Sequence, residues 1–246
     1  MRPRRTILAG AAAAGAAALA LVAGAAASGG EHPRTYRVTI ENLTGGQPLT
    51  PPILAVHAGR HLMFEVGEPA SREIREIAEN GDLGPMAAFL GASPRVAGTA
   101  QGTAPLVPAA NPGNTPFTSS VALDVTAGPG ARRLSWASML VCTNDGFTGV
   151  DGLRLPRAVG QSVVVTTNGY DAGTEANTED FGDIVPPCQG LIGQAGSEPG
   201  TGVSDPDLET NGVIRHHRGI RGREDLTPAL HGWTDPVARV TVTRTG

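Results

Sequence analysis

Lysine is absent from this chain. All 19 basic residues are arginine, set against 23 acids and a formal charge of −4. With the alanine and glycine bias, that absence reflects genome composition and marks no function. Charge is also sparse, at 17% of residues. The short motifs of common chemistries are missing: no G-x-S-x-G elbow, no P-loop, and no G-x-G-x-x-G after a strand. The EF-hand pattern fails after both Asp145 and Asp171, because the alternating Asp/Asn positions are not there. Beyond the N-terminal stretch no segment approaches the ~18 apolar residues of a membrane-spanning helix. Cysteine is limited to Cys142 and Cys188.

Glycine (34) and proline (20) are abundant and follow no repeat, which favours an all-β fold over a helical bundle. The first residues read as a targeting segment. Arg2, Arg4 and Arg5 precede an apolar run from Ile7 to Ala23, and Ala25-Ala-Ala-Ser28 offers an A-x-A cleavage site. The adjacent Arg4-Arg5 also suits twin-arginine export. The expected organisation is a signal peptide at 1–27, a flexible leader at 28–34 and one domain at 35–246, secreted or held in the cell envelope. Removing 1–27 takes three arginines and no acid, so the formal charge moves from −4 to −7. An acidic domain is a poor partner for nucleic acid and a good one for a cation. Two cysteines in an exported chain predict a Cys142–Cys188 disulfide, with free thiols as the alternative.

Tyr36–Glu41 and Val237–Thr243 alternate apolar and polar residues, so both read as half-buried strands, paired in one sheet. Ile53–His57, Phe117–Val125, Arg133–Val141 and Gln161–Thr167 are further strands. The period changes at Ser71, which can cap a helix carrying Ile74 and Ile77 inward and stopping at Gly81. A second short helix is expected near Pro85, and the pair is expected to cover one end of the sandwich without carrying chemistry. Residues 91–116 and most of 176–232 read as loop.

Leu140-Val-Cys-Thr-Asn-Asp-Gly146 and Tyr170-Asp-Ala-Gly-Thr-Glu175 both pass from an apolar, strand-like run to a carboxylate closely followed by Gly. Clustered carboxylates on such loops suit a hard cation, since calcium takes six to eight oxygens at ~2.3–2.6 Å. The plain alternative is that Asn-Asp-Gly and Asp-Ala-Gly are only turns.

Ser135-Trp-Ala-Ser-Met-Leu-Val141, Asp145, Gly149-Val150, Asp171-Ala-Gly-Thr-Glu175 and Pro236–Arg244 together resemble the spondin domain, over nearly the whole chain from Tyr36 onward. The resemblance implies a C2-like antiparallel β-sandwich that binds Ca2+ through Asp145, Asp171 and Glu175, here with a short helical insert. Two positions depart from the family: Cys142 replaces the proline of animal members, and Glu175 stands where Asp is expected. The implied role is an extracellular interaction or adhesion module that is not an enzyme, with a cell-surface or matrix partner. Alternatives are an exported hydrolase using a cation site and a calcium-dependent phospholipid binder. Membrane contact is disfavoured because the acidic loops lack flanking Arg or exposed aromatics.

Other constellations are weaker. His57 and His61 are four apart, but Pro51, Pro52 and Gly59 oppose the helix a zinc pair would need. Glu179, Asp180 and Asp183 could hold a second cation or form a solvated acidic loop. Trp136 is expected in the core, and Trp233 at one end of the sandwich.

Overall fold

Side-chain alternation builds the first sheet. In Arg34–Asn42 (β1), Tyr36, Val38 and Ile40 are fully buried while Arg37 points outward to Asp124. A computed structural model describes residues 32–194, 196 and 198–246, so the expected signal peptide at 1–27 and residues 28–31 of the expected leader lie outside the described residues. Arg34, read as leader, already belongs to β1.

The remaining strands are Ile53–His57 (β2), Val96–Gln101 (β3), Ser120–Ala127 (β4), Arg133–Met139 (β5), Gly146–Arg154 (β6), Ser162–Thr167 (β7), Gly169–Asp171 (β8), Arg215–His216 (β9) and Ala238–Arg244 (β10). They form two antiparallel sheets, ordered β4-β1-β10-β7 and β3-β2-β5-β6-β8-β9. The first and last strands pair, Val38 against Val242 and Ile40 against Val240, as their shared pattern predicts. The fold is therefore an all-β sandwich with a few short helices.

Two apolar layers flank the six-stranded sheet. Leu54, Val56, Leu134 and Trp136 face the four-stranded sheet and pack with Tyr36, Val38, Ile40, Val240 and Val242. Ile53, Ala55, Ala137 and Met139 face the other way, onto the helices Arg72–Asn80 (α1) and Gly84–Ala92 (α2). β2 is buried along its whole length for this reason. The helical insert thus covers the outer face of the larger sheet, where an end of the sandwich was expected. Helix α1 is capped as its sequence predicts. Ser71 accepts from the Ile74 N–H, and Gly81 takes the left-handed conformation (φ 65°) that closes the last turn. Ile74, Ile77 and Leu90 are fully buried.

The segment 91–116 is not only loop, because β3 lies within it and pairs with β2. Two short helices, Pro187–Ile192 (α3) and Pro228–His231 (α4), and a 3-10 turn at Phe181–Asp183 punctuate the long final connection. Cys142 and Cys188 are bonded, with Cα atoms 5.1 Å apart, so the β5–β6 turn is fastened to α3. Trp136 is fully buried, and Trp233 packs against both apolar layers.

Candidate functional site

Two strands that leave the same end of the larger sheet bring the acidic loops together. β6 begins just after Asp145, β8 ends at Asp171, and Gly146 is the register partner of Asp171. The first turn is shaped by Thr143, whose Oγ1 donates to Leu140 O and accepts from the Gly146 N–H at 2.9 Å. A side chain at Gly146 would collide with that hydroxyl, a Cβ there lying 2.3 Å from it. Because Thr143 closes the turn, the Asp145 side chain is free to cross to the second loop. Its Oδ2 accepts from the backbone N–H groups of Thr174 (2.8 Å) and Glu175 (3.2 Å).

Asp171 closes its own turn by accepting from the Gly173 N–H at 2.9 Å. That is the Asx-turn chemistry of the plain reading. Gly173 itself has φ 73° and lies against the backbone of Gly212 and Val213, where a Cβ would have no room. The second Asp171 oxygen accepts from Asn177 Nδ2 (3.1 Å) and from the Arg215 guanidinium (3.2 Å). Glu175 Oε1 accepts from the Asp205 N–H at 3.1 Å.

The three acids named from the sequence are all buried, at 0%, 4% and 4% exposure for Asp145, Asp171 and Glu175. They are unequal in their bonding. Asp171 is engaged through both oxygens, whereas Asp145 Oδ1 is buried with no hydrogen-bond partner. Burial, followed by the Asp171 charge, pushes the Asp145 carboxyl up to about 6. Burial also pushes Glu175 up to about 7, with Glu79 and Asp145 adding repulsion.

Glu79 is the member that sequence reasoning missed. It sits on α1, the insert expected to carry no chemistry, and its side chain is 1% exposed. Its Oε2 accepts from Ser204 Oγ and from Arg75 Nε. Oε1 lies 2.9 Å from the same Arg75 nitrogen, off the hydrogen-bond direction, and counts as unpartnered. The Thr174 hydroxyl is a further buried oxygen without a partner. The helical period showed Glu79 on α1, but its approach to residues nearly a hundred positions away left no trace in the sequence.

All of these groups offer hard oxygen, the donor type that calcium and magnesium take. As they stand, no three His, Cys, Asp or Glu side chains among the described residues converge into a ready metal-ligand set. The orphaned Asp145 Oδ1 and Thr174 Oγ1 are what an incoming cation or water could satisfy.

A cavity of about 330 Å³ opens beside the second loop, lined by Asp171, Glu175, Glu179 and His217 among others. Its titratable groups hold structural bonds. Glu179 accepts from the N–H groups of Arg221 and Arg223, and so folds the final connection around itself. His217 Nδ1 accepts from the Gly219 N–H, so Nε2 carries the proton and donates to Asn177 Oδ1. Burial pushes His217 down to about 4, which keeps it neutral. Of the acids weighed for a second cation, Asp180 accepts from the Gly182 N–H as a turn cap.

The two histidines weighed for zinc part ways. His57 Nε2 lies 2.7 Å from Ser135 Oγ, while His61 Nδ1 lies 3.3 Å from Asp151. Ser135 in turn donates to Asp151. Serine, histidine and aspartate therefore meet, but with serine in the middle. In a nucleophilic triad the histidine stands between the other two and takes the serine proton. Ser135 is also wholly buried, so this chain of bonds ties β2, β5 and β6 together.

No family model matches the chain, and no curated protein matches it.

Proposed function

We propose that the protein is an exported, Ca2+-binding β-sandwich that acts as an extracellular interaction or adhesion module. The cation would be held between the two acidic loops by Asp145 and Glu175, with Asp171 ordering the second loop and supplying an oxygen if Arg215 yields. The observation that carries this reading is Asp145 Oδ1, a carboxylate oxygen in a fully buried residue with no partner. A buried polar atom left unpaired costs on the order of 1–3 kcal/mol, more if charged, and such an atom calls for a role. Supporting it is the repulsion among Asp145, Asp171, Glu175 and Glu79, which a divalent cation would reverse. Bound there, the cation would supply charge neutralisation and bracing of the two loops, and no bond-breaking step is asked of it. Calcium suits the set better than magnesium, because oxygens from separate loops do not impose a tight octahedron.

The partner is taken to be a cell-surface or matrix component that meets the acidic end. The test is calorimetric titration of chelator-treated protein with calcium, then capture on matrix material with and without calcium. One-site calcium binding and calcium-dependent capture are expected. Absence of heat at millimolar calcium would overturn the reading.

A further inference from the structure

Apolar side chains from several separate parts of the chain surround a cavity of about 490 Å³ at the C-terminal end of α1. Its walls include Pro51, Pro105, Phe117, Pro186, Pro187 and Leu191. Met139 and Val141, at and just past the end of β5, also line it with Val185, and all three are buried. No Asp, Glu, Arg or His stands among the lining residues. Four other cavities of this surface differ, each with charged groups on its walls: Asp171 and Glu175 in one, Arg75 and Glu209 in a second, Arg133 and Arg154 in a third, Glu65 and Asp151 in a fourth.

The two polar side chains on the apolar wall are already engaged. Thr50 Oγ1 accepts from the Met139 N–H at 2.9 Å. Asn80 Nδ2 donates to Glu76 (3.0 Å) and to Ser204 Oγ (3.1 Å). The walls are also held in place. Four of the lining residues are prolines, whose rings fix the backbone φ. The Cys142–Cys188 bond fastens α3, which carries Pro187 and Leu191, to the turn that follows β5. A molecule entering here would find its site already ordered, which removes one of the main costs of binding.

We propose that this cavity binds a small, uncharged, apolar molecule. Its volume lies within the ~300–1,000 Å³ of small-molecule sites, which are likewise walled mostly by apolar side chains. Water against such walls is displaced favourably by apolar surface. A charged ligand would give up its hydration with no counter-charge to replace it. A peptide strand would bring a row of N–H and C=O groups that need partners, and both polar side chains on the wall are taken.

The test uses the full chain at neutral pH and a matched pair of fluorescent probes. N-phenyl-1-naphthylamine is uncharged, and 8-anilinonaphthalene-1-sulfonate carries the same rings with a sulfonate. A Cβ on Gly202, which lines the cavity, would meet no atom within 4 Å, so Gly202→Trp puts bulk at the wall without disturbing the fold. Phe117→Gln makes the wall polar at a half-buried position. Gly91→Trp, at an equally open glycine on α2, is the control. Thermal melts confirm that each variant is folded. Saturable one-site binding of the uncharged probe is expected, about tenfold or more tighter than that of the sulfonate. At least one of Gly202→Trp and Phe117→Gln should weaken it about fivefold or more, and Gly91→Trp should change it less than about twofold. The proposal is overturned if the uncharged probe does not bind, if the sulfonate binds as tightly, if both wall variants bind as wild type does, or if Gly91→Trp loses as much.

Discussion

The backbone N–H of Glu175 donates to Oδ2 of Asp145 at 3.2 Å, so the carboxylate of one acidic loop pins the backbone of the other. The two loops are therefore one structural unit before any ligand is considered. Asp145→Ala should loosen the second loop even where no cation is present. Hydrogen exchange at Thr174 and Glu175 should rise in that variant, and unchanged protection there would show that the bonds do not hold the loop.

The raised acids set a pH dependence. Ordinary Asp and Glu in an unfolded chain titrate near ~3.9 and ~4.3, whereas Asp145 and Glu175 in the fold stand at about 6 and about 7. Between these limits the folded state binds more protons than the unfolded one, so these groups make stability fall as pH rises. The loss should begin above pH ~4 and level off above pH ~7. Without calcium, the melting temperature should drop from pH 5 to pH 7.5. Calcium should offset that drop, because it binds the deprotonated forms. Asp145→Asn should flatten its share of the slope, and a wild-type melt rising over this range would contradict the assignment.

Helix α1 is docked through Ile77, which is fully buried against the outer face of the larger sheet. Ile77→Ala should cost on the order of 2–4 kcal/mol by leaving a cavity. Chemical denaturation measures this directly. A cost near zero would mean that the insert packs loosely, and Glu79 would then lose its fixed place beside Asp145.

The parts of the fold that were legible share a cause. β1 and β10 alternate buried apolar residues with polar ones and are rich in β-branched side chains, so both the strands and their pairing could be read. The α1 cap was legible because Ser71 and Gly81 stand where helix ends require them. β3 was not, since Val96-Ala-Gly-Thr-Ala-Gln101 alternates in exposure but has too little apolar contrast to signal it. Its Gly98 is needed because the Thr126 carbonyl lies against it, a constraint visible only in three dimensions. The acids of the candidate site were legible as loop residues. Which of them are already spent was not, because Arg215, Asp205 and Glu79 approach them from separate parts of the chain, while Asn177 folds back onto Asp171 from the same loop.

The Cys142–Cys188 bond closes a separation of 46 residues, which corresponds to ~4 kcal/mol in the chain-entropy description. Non-reducing peptide mapping of native protein should recover the linked pair. Reduction should lower stability by about that amount and weaken any calcium effect, because the bond anchors the Asp145 turn. Full alkylation of both thiols without reductant would contradict the pairing.

The central claim is that a cation belongs between Asp145 and Glu175, and calcium-dependent thermal melting tests it most directly. Wild type and Asp145→Asn should be compared in chelator and in rising calcium at pH 7.5. At free calcium one hundred times the dissociation constant, wild type should gain about 2.7 kcal/mol by mass action. Asp145→Asn should gain little, because it keeps the acceptor for the loop N–H groups but loses the charge. A wild-type melt that does not move with calcium, or an Asp145→Asn variant that gains as much as wild type, would contradict the account and leave the two loops as turns.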